Sequence, residues 1–285
     1  MADPCFIDAN GHRTWLKWHR ARRTVTDPEF TASRILEAMR LGASVEVDLV
    51  IHADGGFAIL HDLELDHATT GTGLVRDTSA ETLRQLHLRD PNGEPIAERV
   101  MLLEDLCALL SAHPAHPDAL LQLDFKEDRT RVDARSIANF SAAVSPVAAT
   151  MILSGGDAEA VAALAEATPG LKTGYDPTYP DVLHDLKTPQ HFADFIQKAL
   201  ETAPTAEMIY LAYDLVLAAN AQGVDLIAAV HAEGRRVDAW TLKETNPDSI
   251  AAALRLIALK VDQITTDDPS LLIERLNEKL AGSLA

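Results

Sequence analysis

Bases, cysteines and long apolar runs are scarce in this chain of 285 residues, and each scarcity excludes something. Lysine and arginine number 25 against 43 acidic residues, a formal charge of −18 spread along the chain rather than gathered in blocks. Such a field repels nucleic acid and anionic membrane surfaces at long range. An anionic substrate therefore needs a local reversal of sign, from a divalent cation or a few placed bases. Two cysteines, Cys5 and Cys107, do not make a disulfide scaffold and point to a reducing compartment. No stretch reaches the length of a membrane span, and the N-terminal residues lack the apolar segment of a secretory signal. The expectation is a cytoplasmic protein with no membrane insertion and no nucleic-acid partner. No Gly-x-Gly-x-x-Gly turn follows the first strand, so a dinucleotide-binding doubly wound sheet lacks its marker.

What the chain has in abundance is alternation. Apolar strand patterns are expected at Thr14–His19, Ser44–Ile51, Ala119–Phe125, Thr150–Ser154, Leu171–Tyr175, Glu207–Tyr213, Arg236–Leu242 and Asp262–Thr266, with helical patterns between them. The first helix is expected to open at Asp27-Pro28 and to stop at Gly42. Repeated strand–helix units with right-handed crossovers predict the α/β class, as a TIM (β/α)8 barrel forming one domain. The stretch from Leu63 to Arg99, rich in glycine and proline, is too long for an ordinary connection. It reads as a small insertion, a cap at about 63–100 after the second strand.

Ser44–Asp62 is the stretch around which the rest is arranged. Two apolar runs, Val45–Ile51 and Phe57–Leu60, flank a His52–Gly56 turn as in a hairpin. Glu46 and Asp48 stand two residues apart, so in a strand both carboxylates leave from one face. Two carboxylates forced together in a core repel unless a cation lies between them. Barrel enzymes carry their chemistry at the C-terminal ends of the strands. Those ends present His19-Arg20, Glu46 and Asp48, His61-Asp62, Asp124 and Lys126, Trp240 and Lys243, and Asp267 or Asp268. Three carboxylates offer an all-oxygen ligand set, which suits Mg2+ or Ca2+ rather than zinc. Histidines titrate near neutrality and can serve as acid and base across a phosphate ester, with Arg20 and Lys126 on its oxygens.

Other polar residues have plainer readings. His12, His52 and His67 read as solvated loop histidines, and His113 and His116 as turn residues at the barrel's bottom. Trp15 and Trp18 read as packing. Tyr175, Asp176, Tyr179, Tyr213 and Asp214 follow strands and are candidate contacts to a leaving alcohol, and the basic cluster Arg20–Arg23 is a candidate for steering anions.

The run His19-Arg20, Pro28-Glu29, Glu46-Val47-Asp48, Asp54-Gly55 and His61-Asp62 resembles the glycerophosphodiester phosphodiesterase family. The likeness continues through Thr70–Gly73, Leu103–Asp105, Asp124-Phe125-Lys126, Trp240-Thr241 and Asp262–Asp267. The resemblance implies a barrel with a small inserted subdomain and one divalent ion held by Glu46, Asp48 and Asp124. It implies His19 and His61 as the acid–base pair, Arg20 and Lys126 on the phosphate, and Trp240 lining the pocket. Ala21 stands where the family has glycine, Phe30 where it has asparagine, Asp124 where it has glutamate, and Lys243 where it has asparagine. The expected function is metal-dependent hydrolysis of small soluble phosphodiesters, with glycerophosphodiesters the default substrates. Two alternatives on the same fold are a sugar phosphodiester of the agrocinopine type as substrate, and a barrel that binds a phosphorylated ligand without turnover.

Overall fold

The computed structural model describes residues 5–282. In chain order its elements are β1 (Phe6–Ala9), β2 (His12–Trp18), α1 (Ala32–Leu41), β3 (Ser44–Ile51), β4 (Phe57–Ile59), α2 (Ala80–Leu83), β5 (His87–Arg89), β6 (Pro95–Arg99) and α3 (Leu103–Ala112). There follow β7 (Leu120–Phe125), α4 (Ala134–Val144), β8 (Met151–Gly155), α5 (Ala158–Glu166), β9 (Lys172–Tyr175), α6 (Val182–Asp185), α7 (Pro189–Thr202) and β10 (Met208–Ala212). The last are α8 (Tyr213–Ala221), α9 (Leu226–Ala232), β11 (Arg236–Leu242), α10 (Pro247–Ala258), β12 (Gln263–Thr266) and α11 (Pro269–Gly282). Strands β2, β3, β7, β8, β9, β10, β11 and β12 are the parallel set, with helices in the connections. The fold is a TIM (β/α)8 barrel.

The chain divides into two compact units. The first comprises His19–Arg22 and Thr26–Thr173. In it β3 runs parallel to β7, with Asp48 opposite Asp124, and β7 runs parallel to β8, with Asp124 opposite Ser154. Val45, Val47 and Leu49 line one face of β3, and on the opposite face Glu46 and Asp48 are buried as well. After β3 the chain doubles back antiparallel as β4, where Leu49 pairs with Ile59. The segment that follows, with the antiparallel pair β5–β6, closes over its own small core. Leu65, Val75, Leu83, Leu88 and Val100 pack there against Val50 and Ala58 of the β3–β4 pair. Phe57 of β4 meets Phe125 of β7 and Phe140 of α4 edge-on, at 5.9 and 5.3 Å between centroids. Helix α4 starts with a capping box in which Asp133 accepts from Ser136 N–H, and α5 starts with Asp157 accepting from Ala160 N–H.

The second unit contains the chain up to Trp18, Arg23–Val25 and the chain from Gly174. Its strands run in the order β1, β2, β12, β11, β10, β9. Leucine, isoleucine and valine side chains of α7, α9, α10 and α11 pack with Leu16, Ile209, Val237 and Ile264 of the strands in one core. A polar knot also lies inside this unit. Lys17 and Asp238 are both buried, with Nζ 3.2 Å from Oδ2, and Thr265 Oγ1 donates to Asp238 Oδ1 at 2.7 Å. The Lys17 ammonium also sits 4.6 Å from the centre of the Tyr210 ring.

Several expectations need correction. Helix α1 begins at Ala32, not at Asp27-Pro28, because Phe30 has a positive φ of 59° that no helix accommodates. Its stop is as expected, with Gly42 left-handed at φ 81°. His52 is buried rather than solvated, at 4% exposure, with Nδ1 accepting from Asp54 N–H. His12 begins β2 instead of lying in a loop, and its Nε2 is 3.1 Å from the Val261 carbonyl. Tyr213 and Asp214 open α8, which had no counterpart in the expected pattern, and β1 was likewise unforeseen. Tyr179 is exposed and donates to Asp185 at 3.1 Å.

Candidate active site

The first unit contains His19, Arg20, Glu46, Asp48, His61, Asp124 and Lys126. Glu46 and Asp48 lie on one side of β3, and Asp124 sits on β7 directly opposite Asp48 in the ladder. One carboxylate oxygen from each of Glu46, Asp48 and Asp124 falls within 4.8 Å of the other two. The bases are close by. Lys126 Nζ is 2.7 Å from Asp48 Oδ1 and donates to Asp124 Oδ2. Arg20 Nε is 3.4 Å from Asp48 Oδ2, while its Nη1 binds both oxygens of Glu29 at 3.1 and 3.2 Å.

The turn after β2 brings these groups together. Arg20 and Ala21 are both left-handed, with φ of 52° and 59°. That geometry turns the Arg20 backbone N–H onto Glu46 Oε2 at 2.7 Å. A left-handed Ala21 accounts for glycine as the family's residue there, since glycine adopts this conformation without a steric penalty. The left-handed Phe30 accounts in the same way for asparagine. His19 opens the turn, and Arg22 Nη2 lies 3.4 Å from its Nδ1.

Electrostatics in this cluster are strongly coupled. Burial and the neighbouring Asp48 carboxylate push Glu46 well above the usual carboxylate range. Burial also acts to raise Asp48, but Lys126, Glu46, His61 and Arg20 outweigh it and hold Asp48 ionised. Burial acts to lower Lys126, and Asp124, Asp48 and Glu46 override it upward. Both Asp48 oxygens are buried, with Lys126 2.7 Å from one and Arg20 3.4 Å from the other. Three carboxylates crowded into one buried place repel unless positive charge lies among them. The three-carboxylate, all-oxygen donor set fits a hard divalent cation.

Asp124 is anchored from below as well. Ser154 Oγ donates to Asp124 Oδ1 at 2.7 Å, and Gln122 Nε2 donates to Ser154 Oγ at 2.8 Å. His61 follows β4 with Nδ1 2.8 Å from Asp62 Oδ1, a pairing that leaves Nε2 for other work. His67 Nδ1 is 3.6 Å from the other oxygen of Asp62. His61, Asp62, Glu64, Asp66, His67 and Lys126 border a cavity of about 470 Å3, with Leu63 completing its wall. A smaller cavity of about 130 Å3 is bordered by Arg22, Glu29, Phe30, His67 and Arg89, among others.

Trp240, the remaining expected site residue, belongs to the second unit and is half-buried on β11. Its indole N–H is buried without a hydrogen-bond partner among the described residues. Sequence reasoning named Glu29 only within the Pro28-Glu29 motif, with no role, and did not single out Gln122 or Ser154. The signal for Gln122 was available, because it stands two residues before Asp124 on the same face of the strand.

Comparisons with known proteins bear on the family and the fold. Over 101 residues the chain is 32% identical to a glycerophosphodiester phosphodiesterase of Caldanaerobacter subterraneus subsp. tengcongensis, covering 35% of this chain and 40% of that protein. Over 61 residues it is 41% identical to glycerophosphodiester phosphodiesterase 1 of Bos taurus, covering 21% of this chain and 18% of that protein. The chain thus matches less than half the length of either curated relative. A phosphodiesterase of Oleispira antarctica, solved in complex with the product sn-glycerol-3-phosphate, superposes with a TM-score of 0.65. It is 19% identical, with coverage of 92% of this chain and 96% of that one, and shows the shared fold. Residues 19–271 match the Glycerophosphoryl diester phosphodiesterase family as a whole, and with that span covered the chain belongs to this family.

Proposed function

We propose that the protein is a phosphoric diester hydrolase acting on small soluble phosphodiesters, with glycerophosphodiesters as the substrate class. The observation that carries the reading is the convergence of Glu46, Asp48 and Asp124 beside Arg20, Lys126 and His61. Glu46, Asp48 and Asp124 are the residues to hold a divalent cation, Mg2+ or Ca2+. When bound, that ion supplies positive charge to a phosphate oxygen and to the charge that develops in the transition state.

The chain's own residues do the rest. Arg20 and Lys126 reverse the sign of an acidic protein locally and bind the remaining phosphate oxygens. His61, with Nδ1 held by Asp62, presents Nε2 to exchange a proton with the attacking or the leaving oxygen. His19 takes the opposite part, deprotonating the attacking water or protonating the departing alkoxide. The products are an alcohol and a phosphomonoester. A pure binding role needs no such acid–base pair, which favours catalysis over the binding alternative.

The test is release of phosphomonoester from glycerophosphocholine, glycerophosphoethanolamine, glycerophosphoinositol and a sugar–phosphate–sugar diester, each with and without EDTA. Cation-dependent cleavage of glycerophosphodiesters is expected. Cleavage of the sugar diester alone shifts the substrate class to the agrocinopine type. Folded, cation-loaded protein that cleaves none of the four overturns the hydrolase reading.

A further inference from the structure

We propose that Gln122 and Ser154 form a positioning relay that aims the Asp124 carboxylate at the divalent cation. The proposal rests on the reading of Glu46, Asp48 and Asp124 as that cation's ligands. All three relay residues face the same side of neighbouring strands, since Gln122 and Asp124 are two residues apart on β7 and Ser154 pairs with Asp124 from β8.

The direction of the hydrogen bonds is fixed by chemistry. A glutamine amide nitrogen can only donate, so the Gln122 contact at 2.8 Å occupies a lone pair of the Ser154 hydroxyl. A hydroxyl has one proton, and here it goes to Asp124 Oδ1 at 2.7 Å. The other oxygen, Oδ2, takes the Lys126 ammonium. Both ends of the carboxylate are thereby tied, and its plane cannot swing. Ser154 is wholly buried and Gln122 is 5% exposed, so water does not compete for these bonds.

The close approach of the two strands has its own cause. A Cβ on Gly155 would sit 2.8 Å from the Phe125 carbonyl oxygen, inside contact distance. Glycine there lets β8 lie tight against β7, which brings the serine hydroxyl within reach of a side chain as short as aspartate. The relay thus fits the departure from glutamate at this position. Asp124, one methylene shorter than glutamate, is held at a defined height by the Ser154 hydroxyl underneath it.

The experiment is calorimetric titration of cation-free protein with Mg2+. Ser154→Ala is expected to weaken Mg2+ binding by roughly 10- to 100-fold, the usual consequence of losing a group that orients a ligand. Ser154→Thr, which keeps the hydroxyl, is expected to restore affinity to within about threefold of wild type. Gln122→Leu keeps the hydroxyl but frees it to rotate, and is expected to weaken binding by a smaller factor. It carries the test alone should Ser154→Ala fail to fold. In the double variant the loss is expected to fall well short of the product of the two single losses, because the Gln122 amide N–H acts on Asp124 through Ser154. Urea midpoints in EDTA report the fold separately; a lowered midpoint with wild-type Mg2+ affinity makes the relay structural only and overturns the proposal. Multiplicative losses in the double variant overturn it too. Wild-type protein that takes up no Mg2+, or Glu46→Gln that takes it up unchanged, instead overturns the underlying ligand assignment.

Discussion

The backbone N–H of Arg20 donates to Glu46 Oε2 at 2.7 Å, so a loop residue's main chain holds a carboxylate that the strand has buried. This bond exists because Arg20 and Ala21 occupy the left-handed region, and the energetics of Ala21 are finely balanced. Relief of left-handed strain on mutation to glycine gains roughly 1–2 kcal/mol. Loss of a buried methyl and the greater freedom of glycine in the unfolded chain cost about the same together. Ala21→Gly is therefore expected to change stability by less than about 1 kcal/mol in urea denaturation. Ala21→Val, branched at Cβ in a fully buried left-handed position, is expected to cost more than about 2 kcal/mol and to lower activity with it. A well-folded, fully active Ala21→Val would show that the turn is not held as described.

Glu46→Gln keeps the shape of the side chain and removes its charge. Affinity for the divalent cation and turnover are expected to fall together, the latter by a factor of 100 or more in order of magnitude. Titration with Mg2+ and an assay in EDTA read the two effects. Undiminished hydrolysis in the presence of chelator is the outcome that removes the cation from the reaction.

His19→Ala and His61→Ala are each expected to reduce kcat by roughly 100- to 10,000-fold while leaving cation affinity near that of wild type. Asp62→Asn, which leaves His61 without its carboxylate partner, is expected to lower kcat by less than His61→Ala does. A pH–rate profile separates these roles. Loss of one limb of the profile in one histidine variant and of the other limb in the second assigns base and acid.

His52 is a buried neutral histidine, and burial holds its pKa below the usual 6.5. The unfolded chain binds a proton at 6.5 and the folded chain does not until the pH is lower. The stabilisation from His52 is thus complete above pH 6.5 and is lost as the pH falls through the folded-state value. Between pH 7 and 5 the urea midpoint of wild type is expected to fall more steeply than that of His52→Gln. Parallel curves would place the acid sensitivity elsewhere.

Cys107 is buried in α3, and burial pushes its thiol up to about 12. It is expected to resist alkylation at pH 8 in folded protein and to react at once in urea. Mass mapping of the labelled cysteine decides the matter.

Much of the architecture was legible because the physical signals were local. Glu46 and Asp48 declare a shared face by their spacing alone, and Gly42 declares a helix end because only a residue free to turn left-handed serves there cheaply. Asp124 and Lys126 were legible for the same reason as Glu46. What stayed hidden was set by neighbours distant in sequence. Ser154 looks like any strand-end serine until β8 is laid against β7. His52 looks like a loop histidine until Gly56 folds back on its ring, where even a Cβ would come within 2.5 Å of Nε2. Helix α8 escaped notice because Tyr213–Ala221 is apolar through most of its length and shows no polar stripe. The start of α1 was misplaced because nothing in the side chain of Phe30 announces a positive φ.

The polar knot in the second unit has a consequence for how β2 is seated. Lys17 lies on β2, but its carboxylate, Asp238, and the hydroxyl that steadies it, Thr265, lie on β11 and β12, far along the chain. A buried ammonium without its counter-charge is several kcal/mol out of favour, so β2 gains nothing by burying itself early. A slip of one residue in its pairing with β12 would put Leu16 or Trp18 where Lys17 belongs and strand the charge on the wrong face. The knot therefore fixes the register of β2: its charge is matched only where β11 and β12 already stand beside it and the strand is aligned as observed.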